Sequence, residues 1–250
     1  MNRVAIIIPN YNMPERTDAL CLSIIKQVKC QYDLYVVDNG SDKQDPSMFT
    51  NLWLKPNMQT TAAWRAGLNM ATVKAVQEGF EYFAYWFLIT SAEFPKGGDP
   101  LSPMAEWLEN NPSAVGVHPA LTEDSTTGWP HLITRGGDAP RRTWMIDNIA
   151  SLYRADWFDK QWFDPRMIYA WGIDLETCWR ARYEDRSLWI DERVKVKKVT
   201  NIGYTMDRMN QSADERALKA GQNMNAELER KYGRDFWRRM MQAGVKDEWK

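Results

Sequence analysis

Residues 3–8, Arg-Val-Ala-Ile-Ile-Ile, form a β-branched run that Pro9 stops. A strand apolar on both faces must be covered from both sides, which is the situation of a central strand in a parallel sheet flanked by helices. A polar loop follows from Asn10 to Arg16. Thr17–Val28 then spaces Ala19, Leu20, Leu22, Ile24, Ile25 and Val28 for the broad apolar face of a helix. A second apolar run, Asp33–Val37, ends in Asp38-Asn39-Gly40-Ser41-Asp42, a strong turn signal. Strand, helix and strand in that order make a right-handed βαβ unit.

The alternation continues down the chain. Leu52–Leu54 reads as a short strand and Thr61–Glu78 as a helix with Gly79 at its end. Tyr82–Ile89 reads as a strand that runs into Thr90-Ser91-Ala92-Glu93. Pro103–Asn110 and Leu175–Tyr183 have helical spacing, whereas Ala114–His118, Ile146–Arg154 and Val194–Val199 read as strands. Residues 119–145, rich in Gly, Thr, Pro and Arg, read as a long active-site loop. Residues 212–243 are charged and helical, with Leu218, Met224, Leu228, Tyr232, Phe236 and Met240 on one face. No repeat and no linker divides the 250 residues into independent halves.

In an open α/β sheet, ligands bind beyond the carboxyl ends of the strands. That rule selects the loops Asn10–Glu15, Asp38–Asp42 and Thr90–Glu93, and the segment before Leu175. Acids converging there suit two tasks, holding a divalent cation against a diphosphate or acting as a general base. The loop after the first strand has no glycine, so a dinucleotide fingerprint is absent, and no Gly-x-x-x-x-Gly-Lys occurs. Neither His118 nor His131 has metal-type spacing with a cysteine. The three cysteines, Cys21, Cys30 and Cys178, form neither a disulfide framework nor a zinc pattern and fit a reducing compartment. Lys plus Arg is 32 against 33 for Asp plus Glu, without the basic excess of a nucleic-acid binder. The 13 tryptophans serve either the core or as platforms for sugar rings and bases. The first apolar run is too short for a signal peptide, and Phe80–Ile89, interrupted by Glu81, is far short of a membrane span. A soluble, cytoplasmic protein is expected.

Three ordered blocks carry a resemblance. Val-Ala-Ile-Ile-Ile-Pro-Asn-Tyr-Asn at 4–12 is similar to the first strand and nucleotide loop of family 2 glycosyltransferases. Val36-Val37-Asp38-Asn39-Gly40-Ser41-Asp42 resembles their second-strand motif. Ser151-Leu152-Tyr153-Arg154, Trp162-Phe163-Asp164-Pro165 and Trp171-Gly172-Ile173-Asp174-Leu175-Glu176 resemble their acceptor-side block. The resemblance implies an α/β fold, a single GT-A Rossmann-like domain over 1–205 with a mainly parallel central sheet. A C-terminal helical extension over 206–250 would pack on it. It further implies inverting transfer from a nucleoside-diphosphate sugar, UDP or dTDP, to an acceptor hydroxyl of a saccharide. Asp174 takes the position of the general base, a role compatible with a helix N-cap. Asp38 would contact the base, and Pro9, Asn10, Tyr11 and Asn12 would line base and ribose. Glu15, Asn69, Ser91 and Arg65 are further candidates on the nucleotide-sugar side, with Arg65 directed at a phosphate. Trp171 and Glu176 fall on the acceptor side, although Glu176 also stands one turn before Arg180, the spacing of an ordinary helix ion pair.

The chain departs from the family at the cation motif. Ser91-Ala92-Glu93 stands where an Asp-x-Asp is usual, leaving Glu93 as the ligand for Mn²⁺ or Mg²⁺. Asn201 replaces a frequent histidine. Arg141 and Arg142 are alternative counter-charges for the leaving diphosphate. Two other readings stay open. One is the same chemistry on a hydroxymethylated DNA base, with Arg141, Arg142, Lys195, Lys197 and Lys198 as a basic strip. The other is a non-catalytic relative that binds nucleotide only. Neither the sugar nor the oligomeric state is readable from these residues.

Overall fold

The computed structural model describes residues 3–199 and 211–247. The opening βαβ unit forms as β1 (Val4–Asn10), α1 (Pro14–Gln27) and β2 (Tyr32–Asp38), followed by β3 (Thr50–Trp53) and α2 (Gln59–Glu78). The chain continues through β4 (Ala84–Phe87), β5 (Ala92–Glu93), α3 (Ser102–Asn110), β6 (Ala114–Leu121), β7 (Pro140–Thr143) and β8 (Leu152–Arg154). It ends with α4 (Ala155–Phe158), α5 (Ile173–Tyr183), β9 (Ser187–Lys198), α6 (Ala213–Tyr232) and α7 (Phe236–Asp247). The strand order is β3-β2-β1-β4-β8-β6-β9-β5, with β7 pairing β9. The sheet is parallel from β3 to β4. Beyond β4 it is mixed, because β8 runs antiparallel between β4 and β6.

Alternation along β1 explains the two layers. Val4, Ile6 and Ile8 point to the face covered by Leu20, Cys21 and Ile24 of α1 and by Met104 and Leu108 of α3. Ala5 and Ile7 point to the other face, where Trp64 and Leu68 of α2 and Ile173 and Cys178 of α5 pack. All five of these β1 residues are fully buried. At about 1.5–3 kcal/mol for each large aliphatic side chain, such burial is the main stabilisation of this sheet. The C-terminal helices join the second layer through Leu228, Phe236 and Met240, all at most 2% exposed. Lys231 of α6 forms ion pairs with Asp164 and with Glu176 of α5.

Three segments differ from the reading of the sequence. In the run 146–154, only Leu152–Arg154 is strand. Asn148 bends the rest, its Oδ1 accepting from Ser151 Oγ at 2.5 Å, a local side-chain bond that competes with a sheet ladder. The expected loop 119–145 contains the end of β6 and the edge strand β7, whose Pro140 sits at its first position. The last strand is longer than its apolar part, because Asp191 and Glu192 are buried with paired charges. Asp191 pairs with Arg193 at 2.8 Å, and Glu192 with Arg141 at 2.7 Å and Lys195 at 2.9 Å.

Candidate active site

The carboxyl ends of β1 and β4 open into a cleft of about 590 Å³. The β1 end supplies Pro9, Asn10, Tyr11 and Met13, and the β4 end supplies Ile89, Thr90 and Ser91. Trp171, Gly172, Asp174 and Leu175 enter from the start of α5. Trp129, Asp147, Asn148 and Lys198 come from the neighbouring loops and the end of β9. The C-terminal helices contribute Arg216, Met224 and Trp237. Arg216 also ties α6 to the start of α2, donating to Gln59 Oε1 and Thr60 Oγ1, both at 3.2 Å.

Parallel pairing places Asn10 opposite Asp38, and a buried polar network joins the two loops that follow. Asp38 Oδ2 accepts from Asn10 Nδ2 and Ser41 Oγ, each at 2.7 Å, and Oδ1 accepts from the Ser41 N–H at 2.8 Å. Asn12 donates its N–H to Ser41 Oγ at 2.8 Å and accepts from the Asp42 and Lys43 N–H groups at 3.0 Å. Gly40 permits the tight turn. Its φ is +76°, and an added Cβ would lie 2.6 Å from the Asn57 nitrogen. Asp38 and Asn12 are therefore fully buried behind the wall, and the Asp38 carboxylate meets the cleft through Asn10. Tyr11 lines the cleft and donates to Asp42 at 3.2 Å.

Of the other nucleotide-side candidates, Ser91 lines the cleft and three residues do not. Glu15 is exposed on α1. Helical rotation presents Gln59, Thr60 and Trp64 to the cleft and carries Arg65 and Asn69 to the flank of α2. There Arg65 donates to the Phe163 carbonyl at 2.6 Å and lies over the Trp162 ring, whereas Asn69 is exposed. On the acceptor side, Trp171 is 42% exposed at the cleft lining. Glu176 is 3% exposed and engaged with Lys231 and the Tyr232 hydroxyl, so its geometry is that of an anchor for α6. Arg141 is held by Glu192 and by the His131 carbonyl, and Arg142 is exposed outside the cleft. Asn201 lies outside the described residues.

The sequence reading missed Asp147. It follows the apolar triplet Trp144-Met145-Ile146, the same apolar-then-acid signal that marks Asp38, but it was absorbed into an assumed strand. In the fold it shares the cleft with Asp174, which sits in the first turn of α5 after the cap Gly172. Burial raises the Asp174 carboxyl above the ordinary carboxylate range. The adjacent Asp147 raises it further, against the pull of backbone N–H groups that include Leu175 at 2.8 Å. Burial likewise raises Asp147, and Lys198 works in the opposite sense. A basic carboxylate at the base of a cleft can accept a proton, and Lys198 can meet negative charge.

The described residues do not fit a resident cation at Ser91-Ala92-Glu93. Glu93 is absent from the cleft lining, and its carboxylate is paired with Arg16. Among the described residues, no group of three His, Cys, Asp or Glu side chains converges with metal-ligand geometry. No helix among them is long and apolar enough to cross a membrane.

No protein-family model and no curated protein matches the chain. Among solved structures it is similar to that of GalNAc-T7 with UDP, GalNAc and Mn²⁺, with a TM-score of 0.60 and 10% sequence identity. The match covers 79% of this chain and 44% of the other, so this chain spans less than half of that neighbour's length. At such identity the likeness is one of fold. The architecture, an α/β sheet with helices on both faces and a cleft at the strand ends, is a GT-A, Rossmann-like fold.

Proposed function

We propose that the chain is an inverting glycosyltransferase that moves a sugar from a UDP- or dTDP-linked donor to an acceptor hydroxyl. The observation that carries this reading is the acidic pair Asp147–Asp174 in the same cleft as Asn10, Tyr11 and Ser91 at the strand ends. The nucleotide lies against Pro9, Asn10 and Tyr11, with Asp38 and Asn12 as positioning residues behind them. Lys198 meets the diphosphate. Asp174 takes the proton from the acceptor O–H as that oxygen forms a bond to the anomeric carbon. The bond from that carbon to the diphosphate breaks on the opposite face, and the nucleoside diphosphate departs with the electron pair. A divalent cation, where one is used, would shield the diphosphate; no step here is routed through it.

Asp174→Asn keeps the shape and removes the base. Turnover with the true donor is expected to fall by about two to four orders of magnitude, and near-normal transfer would refute the assignment. A second reading, nucleotide binding without transfer, draws support from the Arg16–Glu93 pair at the degenerate motif. Release of free nucleoside diphosphate from the donor, with and without Mn²⁺, separates the two. The basic strip lends the DNA reading no support. Arg141 and Lys195 are neutralised by Glu192, Lys197 by Asp124, and Lys198 faces the cleft.

A further inference from the structure

Strand register at the far edge of the sheet decides which charges reach the cleft. β5 pairs antiparallel with β9, with Ala92 opposite Lys198 and Glu93 opposite Lys197. Residues directly opposite share a face, and successive residues alternate between faces. Glu93 and Lys197 therefore stand together on one side, and Lys198 stands on the other. The contacts agree with that alternation. Glu93 pairs with Arg16 and Lys197 with Asp124, and none of these four lines the cleft, whereas Lys198 does. The Val199 N–H donates to the Ser91 carbonyl at 2.9 Å, which holds the end of β9 against Ser91 in the cleft wall.

Lys198 also differs from its neighbours in being uncommitted. Lys195 pairs with Glu192 at 2.9 Å and Lys197 with Asp124, but the half-buried Lys198 has no ion pair or side-chain hydrogen bond among the described residues. Its field reaches Asp147, which it draws down against the effect of burial. An unpaired ammonium on a cleft wall is a binding group for an anion, and it repels a divalent cation from the same place. Arg216 brings a second positive charge to the lining. The acid of Ser91-Ala92-Glu93 thus faces away, and a cationic side chain faces the cleft in its stead. Position names the anion. Ser91 follows β4, which neighbours β1, so this point is one strand from Pro9, Asn10 and Tyr11. With the nucleoside at the β1 end and the reacting carbon beside Asp174, the group that joins them is the diphosphate.

We propose that Lys198 holds the donor's diphosphate in the place of a divalent cation, so that this chain binds its nucleotide without metal. The assignment rests on the transferase reading above and adds its independence of a cation. Calorimetric titration of the full chain with UDP and with dTDP tests it, in EDTA, in Mn²⁺ and in Mg²⁺, on the wild type, Lys198→Met and Lys198→Arg. The wild type is expected to bind the preferred nucleotide in EDTA within about fivefold of its affinity with either metal. Lys198→Met keeps the stem and removes the charge, and should weaken that binding in EDTA by about tenfold or more. Lys198→Arg keeps the charge and should stay within about fivefold of the wild type. A wild-type affinity that rises more than about fivefold with metal, a methionine variant that binds as the wild type does, or an arginine variant as weak as the methionine one each overturns the diphosphate assignment. All three outcomes leave the transferase reading standing. The comparison of media needs no variant, so it decides even where Lys198→Met fails to fold. A wild-type chain that binds neither nucleotide in any of the three media overturns both.

Discussion

At the scale of single residues, the site rests on two carboxyls that the fold holds against their preference for water. Asp147 raises Asp174 by like charge, so the base is stronger than a surface aspartate. The acid limb of kcat/KM is therefore expected above the ordinary carboxylate value of about 4. Asp147→Asn removes the like charge and should move that limb toward lower pH, and a limb that stays in place would show that the two groups are uncoupled. The same shift costs stability. A carboxyl whose folded pKa exceeds its unfolded one holds its proton more tightly in the native chain, so stability is lost as pH rises through the raised value. Asparagine mimics the protonated form. Asp147→Asn and Asp174→Asn should therefore melt higher than wild type at neutral pH, with the gain fading in acid. A melting point unchanged across that range would count against the buried pair.

At the scale of elements, α5 is aimed by its first turn. Gly172 caps it with φ +88°, and a Cβ there would lie 2.6 Å from Met224 Cγ of α6. Gly172→Ala meets both strain and overlap and should destabilise by about 1–3 kcal/mol. It should also depress turnover more than donor affinity, because it re-aims Asp174. Melting curves beside steady-state kinetics check this, and an alanine variant with native turnover would remove the aiming role. The helices and inner strands were legible in the sequence because their periodicity is unbroken, as in Val4–Ile8 and in the apolar face of α1. β7 and the middle of β9 were not, since Arg141, Asp191 and Glu192 are charged and enter strands only with paired charges, Arg141 with Glu192 and Asp191 with Arg193. The site was legible in part. Asn10, Tyr11, Ser91, Trp171 and Asp174 stand at strand or helix ends where polar residues announce themselves. Asp147 and Asn148 hide in an apolar stretch, and Trp64, which lines the cleft, resembles any core tryptophan.

At the scale of the whole molecule, the C-terminal helices are part of the cleft and of the core. Lys231 is the link, paired with Asp164 and Glu176, whose side chains are both 4% exposed. Lys231→Met keeps the stem, leaves the buried Glu176 carboxylate without its cation and leaves Asp164 with Arg166 alone, a change expected to cost about 3–5 kcal/mol. At about 2–4 °C per kcal/mol for a chain of this size, the melting point should drop by roughly 6–20 °C. A drop of under about 2 °C would mean that the two acids are solvated instead. Arg166 remains beside Asp164 at 3.1 Å and softens the loss on that side, so Glu176 carries more of it.

The lining by Met224 and Trp237 has a consequence in time. A growing polypeptide completes its central strands long before residue 224 is made, yet until α6 and α7 arrive the groove at the strand ends is open along one side. The nascent chain can thus own a finished sheet and both aspartates while lacking an enclosed chamber. Competence to hold a ligand away from bulk water waits until α6 and α7 have been made.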